Sequence, residues 1–337
     1  MSRKHIALIY AGGTVGMTRT AQGFAPTPDF DSSLAKLLEN QDASLPRYTL
    51  HAYESPIDSS NATPRDWQRI GRDIATRYND YDGFVILHGT DTMAYTAAAL
   101  SFMLQGLRKP VIMTGSQIPL SAPNSDAPHN MVTALQLAAS DVINEVAIYF
   151  NGRLLRGNRA TKVSITALDA FDSPNYPWLA ETLPQLRFDM QALLPQADQE
   201  KFELPDYDDT LVLPLRFVPG LPVRAVRAML DLAPRAVILQ CYGAGNIPDR
   251  DPALLELLGR AHASGVVLVA CSQSPQGKVS IGTYAAGAGM TAAGVIGTGD
   301  MGFEAIFAKL HHLLALGMTA DAVRKEFLRN MSGELTD

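Results

Sequence analysis

Threonines and serines gather at the ends of short apolar runs, where an open sheet presents side chains to a ligand. His5 to Tyr10 leads into Ala11-Gly12-Gly13-Thr14, and Phe84 to Leu87 into His88-Gly89-Thr90-Asp91-Thr92. Val111 to Met113 leads into Thr114-Gly115-Ser116-Gln117, and Val146 to Phe150 into Asn151-Gly152-Arg153. Taken singly, each hydroxyl reads as the cap of a following helix, and Gly12-Gly13 as an ordinary turn. Together they supply parts of a nucleophilic chemistry. A neutral hydroxyl attacks poorly until a neighbour takes its proton, and an attacked carbonyl oxygen needs donors while it is charged. Asp91 lies between two hydroxyls, and Lys162, in Asn158-Arg159-Ala160-Thr161-Lys162, sits in neither a regular helix nor a charge run. A desolvated lysine beside such groups can act as a base toward a hydroxyl. The segment Thr18 to Asp29, with Gly23, Pro26 and Pro28, is mobile by composition and able to close over a pocket.

The elements needed to position these residues read as an α/β fold. The apolar runs are solid rather than alternating, as in strands covered on both faces. Between them, Pro64 to Tyr78 and Thr92 to Leu107 have helical spacing, and Thr63 before Pro64 is a good helix start. Strands alternating with helices predict a mostly parallel sheet with helices on both faces, and ligands bind beyond the carboxyl ends of such strands. Pro184, Pro195 and Pro205 then punctuate a polar stretch ending in Asp206-Tyr207-Asp208-Asp209, a linker by composition. A second, smaller α/β pattern follows, with strands Val237 to Tyr242 and Val266 to Cys271 around a helical Pro252 to Ala263, and a closing helix near Gly302 to Leu316. The expected organisation is an N-terminal catalytic domain over 1–185, a linker over 186–210 and a C-terminal α/β domain over 211–337.

Composition narrows the function. With 337 residues, 47% hydrophobic and 18% charged, the chain can bury two cores, and disorder is excluded for most of it. Twenty-eight basic against thirty-four acidic residues give −6 without a basic stripe, so no nucleic-acid partner is expected. No apolar stretch approaches the ~18 residues of a membrane span, and the opening residues carry no signal-peptide pattern. With Cys241 and Cys271 as its two cysteines, the chain is expected in the cytoplasm, away from membranes. Gly12-Gly13 fails the G-x-G-x-x-G spacing, there is no P-loop, H-E-x-x-H or C-x-x-C, and His311 and His312 point ~100° apart on a helix. No cofactor and no metal are expected. Gly115-Ser116-Gln117 is not a nucleophile elbow, which argues against an ordinary α/β-hydrolase.

Tyr10-Ala11-Gly12-Gly13-Thr14-Val15-Gly16-Met17 and Ile86-Leu87-His88-Gly89-Thr90-Asp91-Thr92-Met93 closely resemble the two signature segments of the bacterial-type L-asparaginase family. Asp58-Ser59-Ser60 and Thr161-Lys162 resemble its other active-site segments, and the resemblance covers essentially the whole chain, nearest to the cytoplasmic type I branch. It implies Thr14 as the nucleophile that forms an acyl-enzyme, with Thr90, Asp91 and Lys162 as a second catalytic cluster. It implies a substrate site of Asp58, Ser59, Ser60, Thr90, Asp91 and Asn246, with Asp91 on the α-amino group and Ser59 on the α-carboxylate. Asn246, in Gly243-Ala244-Gly245-Asn246, resembles a residue donated to a neighbour's site, so a homodimer or homotetramer is implied. Three positions depart from the family. Phe24 stands where many members have a loop tyrosine, and Gln240 and Ser274 stand where some cytoplasmic members hold an effector with an arginine and a cysteine. The implied activity is hydrolysis of L-asparagine to L-aspartate and ammonia. The rival readings are a glutaminase-asparaginase of broader specificity and an amino-acid-binding sensor that has lost turnover. A tRNA-dependent amidotransferase subunit usually carries an extra N-terminal domain, for which the motif at residue 12 leaves no room.

Overall fold

The computed structural model describes residues 3–20, 23–26, 30–39, 45–207, 210–281 and 288–336, with backbone only at 19, 20, 23–26 and 39. The chain divides into two compact units, Met1–Leu204 and Pro205–Asp337. The first unit begins with β1 (His5–Gly12), β2 (Met17–Thr20), β3 (Gly23–Pro26), α1 (Phe30–Glu39) and β4 (Arg47–Ile57). It continues through α2 (Pro64–Arg77), β5 (Gly83–Leu87), α3 (Met93–Met103), β6 (Leu104–Gln105), β7 (Val111–Thr114) and α4 (Ala127–Ala138). It ends with β8 (Val146–Phe150), β9 (Arg153–Arg156), β10 (Thr161–Lys162), β11 (Phe171–Asp172), β12 (Ala180–Glu181), β13 (Arg187–Phe188) and β14 (Lys201–Phe202).

Eight of these strands form one sheet in the order β13-β12-β9-β8-β7-β5-β1-β4. From β4 to β8 the pairing is parallel, and β9, β12 and β13 extend it antiparallel. The uniformly apolar runs are the central strands, with Ile6 to Ile9 and Phe84 to Leu87 wholly buried. After β1 the chain moves to one side, to β4, and then returns to the other side, to β5. The carboxyl ends of β1 and β5 therefore flank the point where strand order reverses, the place where open α/β sheets bind ligands. Asp66 begins α2 by accepting from the Thr63 backbone N–H at 2.7 Å and the Thr63 hydroxyl at 2.9 Å. α3 has no polar face because nearly every residue of it is buried.

The Pro-punctuated stretch read as a linker over 186–210 makes two short pairings, β13 with β12 and β14 with β6. The division between units falls after Leu204. Strands of two residues are too short to display any alternation, so such a segment looks structureless in sequence.

The second unit is a four-stranded parallel sheet, β15 (Val212–Arg216), β16 (Ala236–Cys241), β17 (Val267–Ser272) and β18 (Ile296–Gly297), in that spatial order. Val237 and Leu239 face a core shared with α5 (Val223–Leu230), α6 (Pro252–Ala263) and α7 (Ala288–Ala292). Ala236 and Ile238 face the opposite core, shared with α8 (Phe303–Ala315) and α9 (Ala320–Phe327). At the edge of that second core, Lys309 is fully buried. Its Nζ donates to Glu334 Oε1 at 2.5 Å and to the carbonyls of Phe327 and Arg329, tying the end of the chain to α8.

Candidate active site

Three segments meet where β1 and β5 end, and glycine makes the meeting possible. Gly13 has a φ of 98°, and a Cβ there would lie 2.4 Å from the backbone nitrogen of Gly89. A Cβ on Gly89 would in turn lie 2.3 Å from the Ser59 hydroxyl. The turns carrying Thr14 and Thr90 are thus in backbone contact, and the Ser59 side chain packs against the second of them, at separations that leave no room for a Cβ. Thr14 opens a single 3-10 turn, Thr14–Gly16, and is half-buried. That turn rests on the Tyr10 hydroxyl, which a Cβ on Gly16 would approach to 2.1 Å. Burial, with Asp31 nearby, pushes the Tyr10 phenol up to about 12, so it stays protonated.

His88 fixes the second turn from beneath. It is fully buried, with Nδ1 2.7 Å from the Gly89 carbonyl and Nε2 3.1 Å from Thr96 Oγ1. Burial drives its pKa below the ordinary histidine value. A neutral ring that donates from Nδ1 to Gly89 accepts from Thr96 at Nε2. Thr92 Oγ1 donates to the Ser59 carbonyl at 2.7 Å, so the Asp58-Ser59-Ser60 turn is hydrogen-bonded to the segment it touches. Within that turn, Asp58 accepts from the Ser60 backbone N–H at 3.0 Å, the Ser60 hydroxyl at 2.9 Å and Asn61 at 2.7 Å. These bonds, the backbone one foremost, hold the Asp58 carboxyl below its ordinary range. Ser59 is buried, whereas Asp58 and Ser60 are exposed.

Lys162 arrives from outside the main sheet, on the β10–β11 hairpin. Its Nζ donates at 2.8 Å to Thr90 Oγ1 and at 2.8 Å to Asp91 Oδ1. An ammonium has no lone pair to offer, so the Thr90 proton points elsewhere. It goes to Gln117 Oε1, 3.3 Å away, and Gln117 Nε2 donates to the Ala167 carbonyl at 3.3 Å, which fixes the amide's orientation. Asp126 accepts from the backbone N–H groups of Gln117 and Ile118 at 3.0 and 2.9 Å, anchoring this turn after β7. Gln117 was not singled out from sequence. The signal available was its place at the end of the third apolar run, but glutamine is common in turns and carries no chemical signature by itself.

The structure therefore brings Thr14, Ser59, Thr90, Asp91 and Lys162 onto segments in direct contact, with Asp58 and Ser60 framing Ser59. Asn246 belongs to the C-terminal unit, where it closes the turn after β16 by exchanging backbone hydrogen bonds with Tyr242, and it is exposed. Gln240 is half-buried on β16, with its carbonyl accepting from Gln273 Nε2 at 2.9 Å. Ser274 lies in the exposed turn after β17. The side chain of Phe24 and part of the Thr18 to Asp29 segment lie outside the described residues. Among the described residues, no cluster of histidine, cysteine, aspartate and glutamate is suited to a metal, and no helix is long and apolar enough to cross a membrane.

A partly accessible threonine, a lysine-bound second threonine and a carboxylate at the mouth suit acyl transfer from a small amino compound. Residues 5–193 match the family model for the asparaginase N-terminal domain, and residues 212–327 that for the glutaminase/asparaginase C-terminal domain. The chain is 45% identical to L-asparaginase 1 of Escherichia coli (strain K12), over all of this chain and 99% of that one. The crystal structure of L-asparaginase I from Vibrio cholerae O1 superposes with a TM-score of 0.92 at 40% identity, covering both chains completely. The thermostable L-asparaginase from Thermococcus kodakarensis superposes at 0.88 with 33% identity, covering 99% of each.

Proposed function

The chain belongs to the asparaginase family, and from that premise we propose that its N-terminal unit hydrolyses L-asparagine in two acyl-transfer steps. Thr14 Oγ attacks the side-chain amide carbon, and its proton passes to the departing nitrogen. The C–N bond breaks, ammonia leaves, and a β-aspartyl ester on Thr14 remains. Water then attacks the ester, its proton passing by way of the Thr90 hydroxyl, which the Lys162 ammonium polarises, to the departing Thr14 oxygen, and the Thr14–acyl bond breaks to release L-aspartate. Asp91, exposed at the mouth, receives the substrate's α-ammonium, and Ser59, framed by Asp58 and Ser60, receives its α-carboxylate. The observation that carries this assignment is the contact of the Gly13 and Gly89 backbones with Lys162 bonded to Thr90.

Ammonia release from L-asparagine by the purified chain tests it, with Thr14→Ala and Thr90→Val as variants. Both should retain the fold and lose at least ~10²-fold in turnover, the usual cost of removing a group that acts in bond making. Near-parental turnover in either, at equal folding, overturns that residue's role. Running glutamine alongside measures specificity, since one methylene is worth only ~1–3 kcal/mol.

The working form is a homodimer or homotetramer in which Asn246 reaches a neighbour's site. The hairpin loop beyond Lys162 supports this, because it presents Val163, Leu168 and an 84% exposed Ile165 beside that lysine. Sedimentation showing a fully active monomer overturns it. Two free, buried cysteines, Cys241 and Cys271, support residence in the reducing cytoplasm.

A further inference from the structure

The surroundings of the Thr90 hydroxyl give the loop beyond Lys162 a part in the chemistry. A hydroxyl oxygen offers two lone pairs and one hydrogen. The Lys162 ammonium takes one lone pair at 2.8 Å, and the hydrogen is directed at Gln117 Oε1, 3.3 Å away. Among the described residues nothing occupies the other lone pair. A relaying hydroxyl must accept one proton while it gives up another. The proton runs from water to Thr14 in the second acyl transfer and, by the same path reversed, from Thr14 to the departing nitrogen in the first. The incoming proton needs that open lone pair.

An amide has two faces, an oxygen that accepts and a nitrogen that donates. Turned over, Gln117 would present Nε2 to Thr90 Oγ1, fill the second lone pair and push the hydrogen into the last position. A hydroxyl with two donors on its oxygen has nowhere to receive a proton. The Ala167 carbonyl prevents the turn, because it accepts from Nε2 at 3.3 Å and could offer nothing to the oxygen of a reversed amide. Ala167 is placed in turn by Ser164, whose Oγ accepts from the backbone N–H groups of Ala167 at 2.9 Å and Thr166 at 3.2 Å. Lys162 does not depend on this turn. Its strand is held by the pairing of Thr161 with Asp172 and of Lys162 with Phe171, so the loop can loosen while the lysine stays in place.

We propose that Gln117 is a positioning residue, and that Ser164, by way of the Ala167 carbonyl, keeps its amide in the orientation that leaves Thr90 open to a proton. The assignment rests on the asparagine hydrolysis proposed above and deepens it. As water attacks, its proton enters the open lone pair, the Thr90 hydrogen leaves Gln117 for the departing Thr14 oxygen, and Lys162 remains an ammonium throughout. The Gln117 contact is long for a hydrogen bond from a hydroxyl, so it yields that hydrogen readily. Asp91 and Ser59, which receive the substrate, are untouched, and the effect belongs to kcat.

Ammonia release from asparagine by the full chain, with kcat and KM determined separately and thermal unfolding run on each sample, tests this in a double-mutant cycle of Ser164→Ala and Gln117→Met. Ser164→Ala should lower kcat about three- to tenfold, the effect of one neutral hydrogen bond, with KM changed by less than about twofold. Ser164→Thr, which keeps the accepting hydroxyl, should stay near the parental kcat. With Gln117→Met in place no amide remains to turn, so adding Ser164→Ala should change kcat by less than about twofold. Parental kcat in Ser164→Ala, an equal fall in both backgrounds, or a loss confined to KM would each overturn the role given to Gln117 and Ser164 while leaving asparagine hydrolysis standing. A parental chain that releases no ammonia from asparagine would overturn the hydrolysis itself, and this role with it.

Discussion

Replacing Lys162 by methionine keeps the length of the side chain and removes two contacts of unequal worth. Both are 2.8 Å long, yet Thr90 is buried while the Asp91 side chain is 62% exposed. The exposed pair contributes less than about 1 kcal/mol to folding, and the charge-assisted bond to Thr90 about 1.5–3 kcal/mol. Methionine also escapes the desolvation that a largely buried ammonium bears, so the net loss of stability is about 1–2 kcal/mol, a few degrees in Tm. Catalysis should suffer more. Loss of a charged donor that stabilises a proton-relaying hydroxyl in the transition state costs about 10²–10³ in rate, or roughly 3–4 kcal/mol of barrier. The assay is kcat and KM from ammonia release, beside thermal unfolding of the same sample. The expected result is a large fall in kcat with a smaller change in KM, at a temperature where the variant is fully folded. Asp91→Asn, which leaves the Thr90 contact in place, should act mainly on KM. A Lys162→Met variant that keeps kcat within about tenfold would remove the lysine from the chemistry.

Gln117→Met deletes the acceptor of the Thr90 proton, a neutral contact at 3.3 Å, and should lower kcat/KM about three- to tenfold; an unchanged value would make Gln117 a spacer only. Because burial lowers the folded-state pKa of His88, stability should be full above about pH 6.5 and decline as pH falls toward that lower value, levelling off below it. Tm measured against pH should show this decline, and His88→Gln should flatten it. Lys309→Met strands Glu334 as a buried charge and should cost about 3–5 kcal/mol in urea unfolding, partly restored by adding Glu334→Gln. The asparagine saturation curve should be hyperbolic, since Gln240 brings no charge to an effector carboxylate; a Hill coefficient above one, abolished by Gln240→Ala, would show a working effector site.

Much of the fold was legible because its central strands are buried on both faces. Ile6 to Ile9 and Phe84 to Leu87 had to be unbroken apolar runs, and the glycines beyond them had to mark close approaches. Thr14 and Thr90 could be read from that punctuation, and Lys162 and Ser59 from the motifs around them. What could not be read is whatever depends on distant segments meeting. Gln117 acquires its role only when Ala167, fifty positions later, fixes its amide. The strands Arg187–Phe188 and Lys201–Phe202 pair over too few residues to leave a periodic trace.

The glycine-to-glycine abutment at the ends of β1 and β5 also limits how the enzyme can be reshaped by selection. A Cβ at position 13 or 89 would run into main-chain or short side-chain atoms at under 3 Å, with no flexible tip able to yield. The separation of the two threonines is consequently a property of the main chain, and no substitution between them can lengthen or shorten it by small steps. Libraries randomised at these glycines should return mostly unfolded clones. Any gradual path toward a longer or shorter amide must run through groups that approach from outside this pair: Ser59, Gln117 and the loop beyond Lys162. That rigidity would thus confine evolutionary change to the periphery of the pocket.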